Sequence, residues 1–268
     1  MISKTTLSPN LDFPCFIAEF LGVFFLVLLT CYSNITDVDE ATNTGISILL
    51  MYTFFTYALA PVSGAHLNPA ISLSLVIDGK IPAIKGLIYI ACHMTGSMLA
   101  ALLVLALRPL PKADDENAYW LGQPTVSKFS GTDEPLIGLF ALFLSELVCS
   151  AVLMFIWKCA MLNTKTPNGT YGFIIGAYYG VMAMSLGRIN GGSANPARSF
   201  GPGILAADFK PMLFYIFGPF GGAILGGFWY DFYAIDTSKI AKDTDNTGLP
   251  VLKPVDISLD ESELSKLE

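Results

Sequence analysis

The sequence predicts an all-α membrane protein with six transmembrane helices and two half-helices, arranged as inverted repeats. Composition is the first reason: the chain has 268 residues, of which 53% are hydrophobic and 14% are charged, whereas roughly 25% of the residues in a soluble domain are charged. Long charge-free runs and an internal repeat at a fixed spacing are the other two reasons. The composition argues against a soluble globular protein.

Six apolar segments are long enough to cross a bilayer, which takes about 20 residues of helix. The longest run without an acidic or basic residue, Ala41–Ile77, has 37 residues, and two other segments contain one acid each, Glu19 and Glu146. Because lipid offers no partner to backbone polar groups, each segment is expected to be helical. The predicted spans are residues 13–32, 44–62, 84–107, 135–157, 171–188 and 211–231.

Two apolar pieces are too short to be full spans. Asn68–Ile77 and Asn195–Ala207 have 10 and 13 residues, about half of what a bilayer requires. Each begins with Asn-Pro-Ala, and proline suits the first turn of a helix, where its missing N–H is not needed. The sequence therefore predicts a half-helix at each of these two places.

The two halves of the chain repeat one pattern. Glu19 lies 49 residues before Asn68, and Glu146 lies 49 residues before Asn195, so an offset of 127 residues superimposes both pairs. Each half has three spans, an odd number, so the second half enters the membrane from the opposite side. Inverted repeats with interrupted helices are typical of proteins with a permeation or transport site near the membrane midplane.

The residues around the two Asn-Pro-Ala triplets are specific. They read SGAHLNPA at Ser63–Ala70 and GGSANPARSFGP at Gly191–Pro202, and AEFLG at Ala18–Gly22 accompanies them. With the repeat, these motifs resemble the aquaporin (major intrinsic protein) family over about residues 13–232. The resemblance implies a homotetramer with one pore in each subunit and no cofactor. The predicted organisation is a cytoplasmic N-terminus (1–12), a channel domain (13–232, with repeats 13–107 and 135–232) and a polar, acidic cytoplasmic tail (233–268).

The half-helix motifs supply the chemistry of the predicted pore. If both N-terminal ends point at the bilayer centre, each presents unpaired N–H groups and about half a positive charge, which repels cations. The side-chain amides of Asn68 and Asn195 are then expected to cap their helices and to face the lumen as hydrogen-bond donors to water. The other motif residues are Pro69, Ala70, Pro196 and Ala197.

Gly-rich backbone precedes each half-helix. Its carbonyls have no helical partner, and at membrane depth such groups are tolerated where they line a wet cavity; a purely structural turn is the alternative. The family resemblance implies a ladder of carbonyl acceptors here, and it also implies that Glu19 and Glu146 hold these loops. A proton relay is the alternative role for the two acids. The predicted ladder residues are Gly64, Ala65, His66, Gly191 and Ser193.

Arg198 lies in an apolar stretch, where an arginine is costly in lipid, so it is expected to face the lumen or a partner. By resemblance it is the arginine of the outer constriction, and Ile48, Ala183 and Gly192 occupy the other three filter positions. Strictly water-selective members carry phenylalanine and histidine where Ile48 and Ala183 stand. A wider, less polar opening is therefore expected, one that also admits small neutral solutes such as glycerol, urea or ammonia.

Other positions leave the solute range open. Ser199, directly after the arginine, and Tyr215 match water channels, whereas Ile216 matches glycerol channels. The residues that could narrow the opening if the register slips are Tyr52, Met182 and Met184.

Several other function classes receive no support from the sequence. The net charge is −7, and no cluster of Lys and Arg would neutralise phosphates, so nucleic acid is not an expected partner. There is no nucleophile with an adjacent base and no Cys or His at metal-ligand spacing, so an enzyme, a metal or a cofactor is not expected. A secondary transporter and a closed-pore junction or scaffold protein remain the alternatives to a channel.

The distribution of basic residues predicts the orientation. With the N-terminus inside, the inner side carries seven lysines up to residue 242 and the outer loops carry four basic residues, a bias that favours this topology. The sequence thus predicts a multi-pass protein in the lipid bilayer of the plasma membrane or a vacuolar membrane, with both termini in the cytoplasm.

Overall fold

The computed structural model describes residues 12–36, 41–108, 121–124, 126, 137–163, 166–167 and 169–240. Within these ranges the regular structure consists of eight α-helices, without a strand. In chain order they are α1 (Phe13–Thr36), α2 (Ala41–Ser63), α3 (Pro69–Ile77), α4 (Ala83–Leu107), α5 (Leu139–Met161), α6 (Tyr171–Asn190), α7 (Pro196–Leu205) and α8 (Phe209–Ile240).

The predicted all-α architecture is confirmed, with six long helices and two short ones. Five of the described helices, namely α1, α2, α4, α5 and α8, are long and apolar enough to cross a membrane. The apolar part of α6, Tyr171–Gly187, is shorter than these five helices. Helix α5 starts later than predicted, after an extended Gly138 in the N-cap position, and α8 runs nine residues beyond the predicted end at 231.

The two short helices begin where the Asn-Pro-Ala triplets predict. Asn68 and Asn195 adopt extended backbone conformations, with φ and ψ of −157° and 121° and of −145° and 108°. Each side-chain oxygen accepts a hydrogen bond from the N–H group two residues later, at 2.8 Å from Ala70 and 3.0 Å from Ala197. The side chains thereby satisfy N–H groups that the first helical turn leaves unpaired.

Glycines let the long helices approach closely. A Cβ atom at Gly176 of α6 would lie 2.6 Å from the carbonyl oxygen of Leu49 in α2, and one at Gly96 of α4 would lie 2.7 Å from the carbonyl oxygen of Phe20 in α1. Small residues are characteristic of such contacts in membranes, where packing rather than hydrophobic burial holds helices together. This packing fixes α2 and α6 against each other, next to the half-helices.

The outside of the bundle is apolar. Phe54, Phe140 and Phe217 expose 66%, 73% and 62% of their surface, and many other large apolar side chains are exposed as well. Soluble proteins rarely expose large contiguous apolar patches. Contact with lipid tails accounts for this surface.

Contacts divide the chain into two units. The first, Met1–Asp231, contains all the helices that form the site described below. The second unit is Phe232–Glu268, of which the structure describes the helical residues 232–240.

Candidate functional site

The N-terminal ends of the two half-helices meet inside the bundle. The amide nitrogen Nδ2 of Asn68 donates to the backbone oxygen of Ala194 at 2.8 Å, and Nδ2 of Asn195 donates to the backbone oxygen of Leu67 at 2.9 Å. Each asparagine thus bonds the loop that precedes the other one. Neither side chain has exposed surface. The half-helices α3 and α7 are therefore joined end to end by a reciprocal pair of hydrogen bonds.

The loops before the half-helices have an unusual backbone. Ala65, Leu67 and Ala194 have φ angles of +46°, +50° and +44°, in the left-handed region that residues with a side chain rarely adopt. Such conformations cost of order 1–3 kcal/mol each and persist only where surrounding contacts fix them. Two buried glutamates provide those contacts.

Glu19 of α1 holds the first loop. Its oxygen Oε1 accepts from the backbone N–H of His66 at 2.9 Å and from the hydroxyl of Ser63 at 2.6 Å, and Oε2 accepts from the backbone N–H of Leu67 at 2.8 Å. The ring nitrogen Nε2 of His93 lies 2.7 Å from Oε2. The carboxylate is fully buried, and it satisfies donors that the strained loop turns inward.

Glu146 of α5 holds the second loop in the same way. Its oxygens accept from the backbone N–H groups of Ser193 at 3.0 Å and Ala194 at 2.7 Å. The corresponding backbone partners of Glu19 are His66 and Leu67. Ser193 and Ala194 lie 127 positions after them, which is the repeat offset. The internal repeat of the sequence therefore corresponds to a repeat of hydrogen bonds in the structure.

Arg198 lies in the first turn of α7 and is bound to the preceding loop. Its nitrogen Nη1 donates to the carbonyl oxygens of Gly191 at 2.9 Å and Gly192 at 2.7 Å. The carbonyl of Gly191, a predicted ladder acceptor, is thus engaged by this arginine. The side chain of Arg198 is 4% exposed, and its Nε has no hydrogen-bond partner among the described residues.

The other predicted filter residues lie on α2, on α6 and in the second loop. Ile48 is 1% exposed and Ala183 is 4% exposed. Gly192 has a φ of +49°, and a Cβ atom there would lie 3.0 Å from the backbone oxygen of Met182 and 3.5 Å from the Cα of Ala183. Gly192 therefore lies directly against Ala183, and its carbonyl oxygen accepts a hydrogen bond from Arg198.

Two tyrosines that sequence reasoning did not assign to the asparagines contact them directly. Nδ2 of Asn68 donates to the hydroxyl of Tyr179 at 2.9 Å, and Nδ2 of Asn195 donates to the hydroxyl of Tyr52 at 2.9 Å. The sequence predicts amide donors that face a lumen, whereas here these donors face tyrosine hydroxyls. The repeat offset was the available signal, because Tyr52 and Tyr179 are also 127 positions apart.

The three residues that could narrow the outer opening differ in their contacts. The hydroxyl of Tyr52 accepts a hydrogen bond from Asn195. Met182 is buried and 4% exposed, and its carbonyl lies against Gly192. Met184 is 38% exposed and its side chain fills the space over Gly45.

Comparisons with known proteins agree with this geometry. The family model described as "Major intrinsic protein" matches residues 10–230. "Probable aquaporin NIP4-2" of Arabidopsis thaliana is 31% identical over 222 residues, which cover 81% of this chain and 73% of that protein. "Glycerol uptake facilitator protein-like 6" of Lactiplantibacillus plantarum is 32% identical over 219 residues, which cover 80% of this chain and 94% of that protein.

A solved structure shows the same fold. The aquaglyceroporin from Plasmodium falciparum superimposes with a TM-score of 0.72 at 20% sequence identity, over 84% of this chain and 98% of that one. The resemblance stated from the motifs is thereby confirmed. The chain belongs to the major intrinsic protein family, whose members include the aquaporins.

Proposed function

We propose that this chain is a passive channel that lets water and small neutral solutes cross a membrane and excludes protons and other ions. The observation that carries the proposal is the meeting of the two half-helix N-termini at Asn68 and Asn195. This arrangement brings two positive helix ends and two amide groups to one buried place. Small polar molecules are bound there through the amides, whereas cations are repelled.

The charge of Arg198 adds a second barrier to cations. Its guanidinium is held by the carbonyl oxygens of Gly191 and Gly192 and remains slightly exposed, so it presents a fixed positive charge next to this loop. Exclusion of protons and cations by such an arginine is known for aquaporin-type pores. The channel needs neither a cofactor nor an energy source for this function, and we propose that it catalyses no reaction.

The filter residues support a solute range beyond water. By the family resemblance, Ile48, Ala183 and Gly192 share the filter with Arg198, and an opening made by these residues is bordered by apolar and small side chains. Glycerol, urea and ammonia are small neutral molecules that such an opening would admit. One relative carries glycerol uptake in its name, and others are named aquaporins.

The oligomeric state and the membrane location are also part of the proposal. We propose a homotetramer with one pore in each subunit, in the plasma membrane or a vacuolar membrane, with both termini in the cytoplasm. The exposed apolar surface supports contact with lipid and with neighbouring subunits. A closed-pore junction or scaffold protein is the second candidate, and the complete burial of both asparagines favours it over a transporter.

Vesicle swelling tests the proposed function. We expect vesicles that contain the purified protein to shrink faster in a sucrose gradient than protein-free vesicles, at a rate that rises linearly with the gradient. In a glycerol gradient they should shrink and then re-swell, because glycerol enters through the wide filter. Stopped-flow light scattering measures both rates.

Each outcome of this experiment separates two candidates. Water flux without glycerol entry would contradict the wide filter. A flux that saturates with the gradient would indicate a transporter. Water flux equal to that of protein-free vesicles, both in the wild type and in a variant that lacks the rings of Tyr52 and Tyr179, would indicate a scaffold protein.

A further inference from the structure

Two aromatic rings lie together beside the junction of the half-helices. Tyr52 of α2 and Tyr179 of α6 stack with their ring centroids 3.5 Å apart and their planes inclined by 12°. Each tyrosine lies 16 positions before an asparagine of the Asn-Pro-Ala triplets. The pair is therefore a repeated feature of the two halves, placed where α2 and α6 pass the half-helix tips.

The tyrosine hydroxyls accept hydrogen bonds that the asparagine amides would otherwise donate to water. An asparagine amide has two N–H bonds to donate. At Asn68 one goes to the backbone oxygen of Ala194 and the other to the hydroxyl of Tyr179. At Asn195 one goes to the backbone oxygen of Leu67 and the other to the hydroxyl of Tyr52. Both amides are thus saturated by the protein itself.

The same place has almost no surface that water can reach. Tyr52 and Tyr179 expose 1% and 2% of their surface, and Asn68 and Asn195 expose none. A lumen that held water beside the asparagines would give them an exposed fraction above zero. Near Arg198 a small exposed fraction remains. The tightest closure therefore lies at the tyrosines, inward of the arginine.

We infer that Tyr52 and Tyr179 form a central constriction that must part before a molecule passes, and that this pair, rather than the opening at Arg198, limits the permeability of the channel. The inference rests on the proposed channel function. When the rings part, water takes the position of each hydroxyl and accepts from the same amide. What is lost in this exchange is the stacking of the rings and the net advantage of the two tyrosine hydrogen bonds over the bonds to water that replace them.

The constriction is expected to slow the passage of water. The net strength of two neutral hydrogen bonds corresponds to a factor of about ten to a hundred. We expect the wild type to conduct water slowly, with a steep temperature dependence. Removal of both rings should leave the asparagines open to water and give a shallow temperature dependence.

Three variants test this inference in reconstituted vesicles. The double variant Tyr52→Val with Tyr179→Val removes both rings, and we expect it to raise the osmotic water permeability per protein by about tenfold or more. The double variant Tyr52→Phe with Tyr179→Phe keeps the rings and removes the hydroxyls. Its permeability should lie between that of the wild type and that of the valine double variant. Tyr57→Phe is the matched control, since the hydroxyl of Tyr57 makes an exposed hydrogen bond to the backbone oxygen of Gly169 at 2.6 Å instead of contacting an asparagine, and the permeability of this variant should not change.

The outcomes are distinguishable from failure of the channel proposal. A wild type that conducts as fast as the valine pair, with an equally shallow temperature dependence, would overturn the tyrosine constriction and leave the channel function standing. Wild type and valine pair both at the level of protein-free vesicles would overturn the channel function itself. Gel-filtration profile and thermal unfolding midpoint establish that each variant is folded; if the valine pair does not fold, Tyr52→Leu with Tyr179→Leu, which fills more of the space, replaces it.

Discussion

Replacement of Gly222 with alanine is expected to destabilise the protein, whereas the same replacement at the adjacent Gly221 is expected to be neutral or stabilising. A Cβ atom at Gly222 of α8 would lie 2.1 Å from the carbonyl oxygen of Leu147 in α5, and no rotamer change relieves a contact with backbone. A Cβ atom at Gly221 would lie 3.7 Å from the flexible Leu147 side chain, an ordinary contact. Forced overpacking costs about 1–3 kcal/mol, whereas Gly to Ala in a helix gains about 1 kcal/mol.

The thermal unfolding midpoint of the detergent-solubilised protein measures both effects. The two variants carry the same chemical change on neighbouring residues of one helix, so composition and helix propensity cancel in the comparison. We expect the midpoint to fall for Gly222→Ala and to stay or rise for Gly221→Ala. Equal shifts in the two variants would show that α5 and α8 do not approach each other as described.

Glu146→Gln is expected to lower both the stability and the water flux. The two carboxylate oxygens accept from the backbone N–H groups of Ser193 and Ala194. In glutamine one oxygen becomes an NH₂ group, so a donor faces a donor and one buried N–H loses its acceptor. An unsatisfied buried group costs about 1–3 kcal/mol. The strained backbone at Ala194 and the position of Asn195 both depend on this contact.

Glu19→Gln is the matched comparison. The Glu19 carboxylate also contacts the Ser63 hydroxyl and the His93 ring, and both can reverse their hydrogen-bond roles to accept from a new amide. A backbone N–H of His66 or Leu67 still loses its acceptor, but the new amide can donate to the Ser63 hydroxyl or the His93 ring, so we expect a smaller loss of stability at position 19 than at position 146. The unfolding midpoint and the stopped-flow rate of the two variants provide the measurement. A Glu146→Gln protein with wild-type stability and flux would show that the carboxylate does not hold the loop.

The sequence predicts the half-helices well because their signals are local. An asparagine cap and a proline in the first turn specify a helix start whatever surrounds it, and the structure begins α3 and α7 at Pro69 and Pro196. The charge-free runs likewise place the long helices to within a few residues. The largest difference is at the end of α8, where polar residues continue the helix nine positions beyond the apolar run.

The interior contacts are not predictable in the same way, because they depend on how the helices pack. Tyr52 and Tyr179 are unremarkable residues of two apolar spans, and only the superposition of α2 and α6 brings their rings together. The same holds for Gly122 in the described segment 121–124. Its backbone oxygen accepts from Asn34 at 2.7 Å, a contact between residues 88 positions apart that no local pattern indicates.

Mercury block at an introduced cysteine tests most directly whether permeating molecules pass beside the half-helix junction. Ala183 lies against Gly192, whose carbonyl accepts a hydrogen bond from Arg198, so a thiol in Ala183→Cys would stand next to the loop that binds Arg198. The wild type, with its own five cysteines, is the control. We predict that mercury(II) chloride reduces the water flux of Ala183→Cys vesicles to the level of protein-free vesicles, that a reducing thiol restores it, and that the wild type is unaffected. Stoichiometric mercury labelling of position 183 with unchanged flux would contradict the account.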